Sequence, residues 1–133
     1  MEALLRESLD EWTRKAAELE TATLPDEALL TWFRDGVAFS HSYSGVVALM
    51  ADALADSHSA LHASCTTMRS AGARLLLRAQ SEGTARLDID GSDLLALIAA
   101  LAWLGDQASF APRAEHLFDV ITSAILTKTS PSN

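Results

Sequence analysis

The chain has little of several residue types that define other classes of protein. Its 133 residues include a single cysteine, three prolines and six glycines. One cysteine excludes an internal disulfide and suits a reducing compartment. Because helix-breaking residues are few and Val, Ile and Thr never form alternating runs, the composition favours helices over strands. We therefore predict an all-α protein.

Basic residues are also scarce, and no apolar run is long enough to span a bilayer. Ten lysines and arginines stand against 18 aspartates and glutamates, which gives a net charge of −8. Nucleic-acid binding needs a field of Lys and Arg, so we do not expect this chain to bind DNA by itself. A membrane helix needs about 20 apolar residues. Without such a run or a signal peptide, we expect a cytoplasmic protein with no membrane partner.

Apolar residues recur at helical spacing through most of the chain. Pro25 followed by two acids marks a helix start, and Gly83 marks a helix end. We predict one domain over residues 1–128, an all-α bundle of about six helices, followed by a disordered tail over 129–133. The helices are expected at about residues 1–21, 25–42, 46–54, 60–82, 92–107 and 113–127.

The stretch from Asp90 to Asp106 is unusually apolar for a helix in a small protein. Asp90 and Asp93 are placed to cap its start, and no charged residue lies between Asp93 and Asp106. A helix that is apolar on all sides must be covered on all sides. A chain of this size has few helices for that purpose. We therefore expect a second copy of the protein to supply part of the cover.

No motif for catalysis or metal binding stands out. His58, His62 and Cys65 are metal-ligand types at i, i+4 and i+7, but spacing alone is a weak signal. The simpler interpretation is an exposed His58 and a buried, apolar Cys65. The sequence has no Gly-rich phosphate loop, no G-x-S-x-G and no C-x-x-C. We predict neither an enzyme nor a bound metal or other cofactor.

Large aromatic and sulfur-containing side chains lie on or near the inward faces of successive predicted helices. Core packing accounts for most of them. Large side chains beside Gly36, Gly45 and Gly72 are also typical of a helical bundle that lines an apolar cavity. The residue types leave both interpretations open.

Six segments, in order along the chain, resemble one known family. They are E-A-L-L (2–5), P-D-E-A-L-L-T-W-F (25–33), L-H-A-S-C (61–65), A-G-A-R-L-L-L-R-A-Q (71–80), G-T-A-R-L-D-I-D (83–90) and L-L-A-L-I-A-A-L-A-W (94–103). Together they resemble the C-terminal, effector-binding and dimerisation domain of TetR-family transcriptional regulators, over about residues 2–126. The family's N-terminal helix-turn-helix domain has no counterpart here. The chain is thus expected to be the regulatory part of a longer repressor, with a natural short form as the alternative.

The resemblance implies a homodimer in which the last two helices pair with their copies as a four-helix bundle. It also implies a pocket for a small apolar or aromatic effector, which would control DNA binding by the N-terminal domain absent from this chain. The pocket residues are expected to be Trp32, Phe33, Phe39, Met50, His62, Cys65, Met68, Trp103 and, near the mouth, Phe110. The interface residues are expected to be Leu94, Leu97, Ile98, Leu101, Leu104, Leu117, Phe118, Ile121 and Ile125.

The alternative function is a helical dimerisation or interaction module that binds no small molecule. The half of the chain between Trp32 and Met68 separates the two functions. A cavity there favours the ligand sensor, and solid packing there favours the interaction module.

Overall fold

The computed structural model describes residues 2–22, 24–42, 52–53, 55–59 and 61–126, and every regular element within them is a helix. The predicted all-α class is confirmed. The predicted helix over 46–54 falls mostly outside the described residues, and the predicted tail over 129–133 falls wholly outside them. The α-helices are α1 (Glu2–Ala22), α2 (Pro25–Ser42), α3 (His62–Ser81), α4 (Gly91–Asp106) and α5 (Ala114–Ile125), with a 3-10 turn at Ala111–Arg113 before α5.

The apolar helix α4 begins with the two aspartates that the sequence singled out. The Asp93 backbone N–H donates to the Asp90 side chain, and the Asp90 backbone N–H donates to the Asp93 side chain, each at 3.0 Å. This reciprocal pair is a capping box, which satisfies two N–H groups that the first turn leaves without helical partners. The cap therefore fixes where α4 starts.

Helix α3 ends at a glycine, as the sequence predicted. Gly83 has a φ of 79°, a left-handed conformation that favours glycine. Its N–H donates to the Gln80 carbonyl at 3.1 Å, and the Thr84 N–H donates to the Ala79 carbonyl at 2.9 Å. These two bonds form a Schellman motif, which turns the chain away from α3 and toward α4.

Helix α2 lies at the centre of the fold, where it packs against α1, α3 and α4, while α5 packs against α4. The rings of Phe33 on α2 and Phe118 on α5 also meet, with centroids 5.8 Å apart. No helix in the described part of the chain has the length and apolar character of a membrane span. The largest fully buried side chains are Trp32, Phe33, Leu9, Leu29, Leu61, Met68, Leu75, Leu94 and Cys65.

Two stacked indoles join the first three helices. The rings of Trp12 and Trp32 lie 4.8 Å apart between centroids, with their planes at 19°. A Cβ atom on Gly36 would overlap the Trp12 ring, and one on Gly72 would overlap the Trp32 ring. Because the rings lie directly against these helix backbones, α2 and α3 require glycine at both positions.

Candidate ligand pocket and dimer face

Four of the predicted pocket residues are buried in the core of the protomer. Trp32 and Phe33 are each 1% exposed, and Cys65 and Met68 are fully buried. All four belong to the hydrophobic core cluster, in which Trp32 packs against Gly72 on α3 and Phe33 packs against Phe118 on α5. Within the described residues the cluster is closely packed around the Trp32 ring on Gly72. Contact between these residues and a ligand stays a prediction.

The two stacked tryptophans differ in their hydrogen bonding. The indole N–H of Trp12 donates to the Trp32 backbone carbonyl at 3.2 Å. The indole N–H of Trp32 is buried and has no hydrogen-bond partner among the described residues. A buried donor without an acceptor costs about 1–3 kcal/mol, so such groups are rare in native proteins. The Trp32 N–H is a polar atom that an acceptor on a bound molecule would satisfy.

The residues weighed as metal ligands have other surroundings in the structure. His62 is half-buried, and its Nδ1 lies 2.8 Å from the Ala53 carbonyl oxygen. Because a carbonyl only accepts, Nδ1 carries a proton in this contact. Burial raises the pKa of the Cys65 thiol, which disfavours the thiolate that binds metals. His58 is exposed, and no group of three His, Cys, Asp or Glu side chains that could hold a metal occurs in the described residues.

Of the other predicted pocket residues, Phe39 packs against the core, and Trp103 and Phe110 are exposed. Phe39 is half-buried, with its ring centroid 5.6 Å from that of Trp12. Trp103 is 56% exposed and Phe110 is 43% exposed. Trp103 points outward because leucine and isoleucine side chains occupy the inward face of α4. Met50 lies outside the described residues.

The predicted interface residues divide into two groups. Five of them lie in the core of the protomer itself and have little surface left for a partner. Four others, at the edge of that core, are only partly buried. The core group is Leu94, Ile98, Leu101, Phe118 and Ile125, and the edge group is Leu97, Leu104, Leu117 and Ile121.

Apolar side chains are also exposed on the outward sides of α4 and α5. Trp103 and Val120 are 56% and 52% exposed, and Ala96, Ala100 and Ala124 are exposed beside them on the same helices. Spacings of three and four residues place these side chains on one side of each helix. Val120 was not among the predicted interface residues, although it lies one helical turn before Ala124. Together with the four partly buried edge residues, these exposed side chains form the outer face, which consists of Ala96, Leu97, Ala100, Trp103, Leu104, Leu117, Val120, Ile121 and Ala124.

A groove of about 380 Å³ opens between α2, α4 and the start of α5. The guanidinium carbon of Arg34 lies 4.4 Å from the ring centroid of Phe118, and Nη1 lies 3.7 Å from a carboxylate oxygen of Glu115. This groove was not predictable from the sequence, because short side chains from three separate helices create it. This Arg34 groove is lined by Arg34, Val37, Leu101, Ala102, Gly105 and Phe118 among others.

A second groove, of about 420 Å³, lies between α1 and α2 and is acidic. Glu7 and Glu11 border it, and Lys15 and Asp35 form an ion pair there at 3.0 Å. This part of α1 would repel a phosphate backbone, in agreement with the net charge of −8.

Comparison with known proteins defines the family. The chain matches the family described as "Transcriptional regulator SbtR-like, C-terminal domain" over residues 24–125. Its structure is similar to the crystal structure of the TetR transcriptional regulator SCO0520 from Streptomyces coelicolor. The TM-score is 0.75 and the identity 23%, over 96% of this chain and 73% of that chain. No curated protein matches the chain.

The chain therefore belongs to the SbtR-like family of C-terminal domains of TetR-type transcriptional regulators. The resemblance that the sequence predicted is confirmed by this match and by the shared fold.

Proposed function

We propose that the chain is the effector-binding and homodimerising regulatory domain of a TetR-type repressor. The observation that carries this proposal is the exposed, apolar outer face on the last two helices of a chain that belongs to a regulator family. Monomeric proteins rarely expose a large contiguous apolar patch, and such a patch usually marks an interaction site. A two-fold interface is self-complementary, so one apolar face serves both copies.

The outer face has the residue types that a helix-to-helix interface uses. Trp103 is a large, exposed anchor, and tryptophan is enriched among the residues that dominate binding energy. Ala96 and Ala100 on the same helix are small enough for a neighbouring backbone to approach closely. The partly buried leucines at the edge of the core would complete the contact.

The dimer is tested by placing a charge on the outer face. In Val120→Glu the protomer should keep its fold, because the side chain at this position is 52% exposed. The dimer should dissociate, because its interface would bury a carboxylate. Sedimentation velocity and native mass spectrometry give the mass directly. Leu77→Glu is the matched control, since Leu77 is 60% exposed on α3 and lies outside the outer face.

The expected result is a dimer for the wild type and Leu77→Glu, and a folded monomer for Val120→Glu. A wild-type monomer, or a Val120→Glu variant that stays dimeric, would contradict the proposed interface.

The proposed effector is a small apolar or aromatic molecule held by the cluster around Trp32, Phe33, Cys65 and Met68. What supports this pocket is the combination of apolar walls with a polar atom, which is typical of small-molecule sites. The polar atom at this cluster is the Trp32 indole N–H, which has no partner among the described residues. Trp103 is assigned to the dimer face instead, because of its exposure.

The second candidate function is the dimerisation module without a small-molecule ligand. The observation that favours it is the close packing of Trp12 on Gly36 and of Trp32 on Gly72. Native mass spectrometry separates the two functions in the wild-type chain as purified. A small adduct of defined mass, with lower occupancy in Trp32→Phe, would favour the sensor. A spectrum without adducts would favour the module.

In the whole regulator, effector binding would change DNA affinity through a coupling free energy of about 1–3 kcal/mol. DNA binding would belong to an N-terminal domain outside this chain. A gel shift at physiological salt should show no binding of duplex DNA to the chain itself, because of its acidic charge. We infer also that the protein works in the cytoplasm and is not an enzyme.

A further inference from the structure

We propose that the Arg34 groove is a second binding site, for a small carboxylate that carries an apolar body. The groove lies between α2, α4 and α5, whereas Trp32, Cys65 and Met68 of the proposed effector pocket lie where α2 packs against α3. This site thus differs from the proposed effector pocket in both its position and the chemistry of its ligand.

The shape of the groove suits a small organic molecule. Its volume of about 380 Å³ falls in the range of small-molecule sites, roughly 300–1,000 Å³. The helices leave space between them because their side chains here are short or absent, at Ala102, Gly105, Ala111 and Ala114. The Phe118 ring supplies an apolar wall. An aliphatic or aromatic body would exclude water from this surface on binding.

The charge at the groove favours an anion. The guanidinium of Arg34 lies over the Phe118 ring in a cation–π contact, which orients its planar N–H fork. The 3.7 Å separation between Arg34 and Glu115 is longer than a hydrogen bond, and the Glu115 side chain is 84% exposed. Within the described residues, the guanidinium therefore has only this loose ion pair, and a carboxylate would match its fork.

A ligand in the groove would not compete with the dimer. Leu101 and Ala102 line the groove and are buried, whereas Trp103 is exposed on the outer face. The groove and the outer face are thus on different sides of α4. One bound molecule would contact α2, α4 and α5 at the same time.

The test uses three probes with the full chain. They are 2-naphthoate, octanoate and the neutral isostere 2-naphthamide, and chemical-shift titration in amide NMR spectra measures each dissociation constant. The two acids should shift the signals of Gly105 and Ala114. We expect 2-naphthamide to bind about fivefold more weakly than 2-naphthoate, which is what one partly exposed ion pair gives. The acid that binds more tightly indicates whether the natural ligand is aromatic or aliphatic.

Two variants and a control make the test specific. Arg34→Gln should weaken both acids about fivefold and leave 2-naphthamide unchanged. Arg113→Gln removes an equal charge from an exposed residue outside the groove lining and should change nothing. Ala111→Leu, at an exposed position of the groove, should weaken all three probes by filling space. Circular dichroism spectra and melting curves show that each variant is folded.

Equal affinity for 2-naphthoate and 2-naphthamide would overturn the proposal. Unchanged acid binding in folded Arg34→Gln would also overturn it, as would shifts confined to Trp32 and Met68. None of these outcomes bears on the Val120→Glu test of the dimer.

Discussion

The two ends of the molecule bury their aromatic side chains to different degrees. In the α1–α3 region, Trp12 and Trp32 are stacked and buried against glycines of neighbouring helices. In the α4–α5 region, Trp103 and Val120 remain exposed although both helices are rich in apolar residues. The α1–α3 region buries both of its indoles within the protomer, whereas the α4–α5 region leaves its indole exposed. This difference supports the proposal that α4 and α5 contact a second copy of the chain.

The largest expected effect separates the two faces of α4. Leu101 is 4% exposed, so Leu101→Ala should lower the free energy of protomer unfolding by about 2–5 kcal/mol. Trp103→Ala should leave it nearly unchanged, because the side chain is on the outer face. Urea unfolding in a monomeric Val120→Glu background measures the protomer alone. Similar losses for both variants would remove the distinction between inward and outward faces.

The next effect tests how tightly the first region is closed. In Gly72→Ala the new Cβ would overlap the Trp32 ring, and overpacking of this kind costs about 1–3 kcal/mol. Thermal unfolding should therefore show a lower Tm. Gly105→Ala is the control, since Gly105 also lies inside a helix but lines an open groove. That change should stabilise the chain, by up to about 1 kcal/mol, through helix propensity. An unchanged Tm for Gly72→Ala would indicate free space beside Trp32.

A smaller effect separates the two stacked indoles. Trp12→Phe loses the hydrogen bond to the Trp32 carbonyl, whereas Trp32→Phe removes an N–H that has no partner among the described residues. Both variants lose similar ring volume. We therefore expect Trp12→Phe to be less stable than Trp32→Phe by about 1 kcal/mol in urea unfolding. The reverse order would mean that the Trp32 N–H is already satisfied in the purified protein.

The smallest effect lies in the loop that joins the two regions. Arg86 Nε and Nη2 donate to the Asp88 carboxylate at 2.6 and 2.9 Å, which lowers the pKa of Asp88. The pair therefore stabilises the fold above the ordinary pKa of aspartate, and this contribution is lost as pH falls through the lowered pKa. Asp88→Asn should lower the Tm slightly at neutral pH, with a difference from the wild type that vanishes in acid. A difference that persists in acid would have another cause.

The sequence predicted the helices well because their ends carry local signals. The aspartates at the start of α4 and Gly83 after α3 act through bonds between residues at most five apart. Such signals are readable without knowledge of the tertiary fold. The inward stripes of α2 and α3 were also predictable, because polar residues mark their opposite faces.

The faces of α4 were not predictable in the same way. Leucines occur on both its inward and outward sides, so periodicity could not say which side meets the protomer's own core. Leu94 and Leu101 are buried there, whereas Leu97 and Leu104 lie at its edge. That choice depends on how α4 packs against α2. The Arg34 groove could not be predicted from the sequence for the same reason, since it forms only when three helices meet.

The positions of the three tryptophans give the protein internal optical reporters. Indole emission moves to longer wavelength in water and to shorter wavelength in apolar surroundings. Trp12 and Trp32 are buried together, so their signal follows the integrity of the core, while Trp103 is the exposed indole. Dilution would dissociate the proposed dimer. The emission maximum of the wild-type chain, measured on dilution, would therefore report whether Trp103 is covered, without any added label.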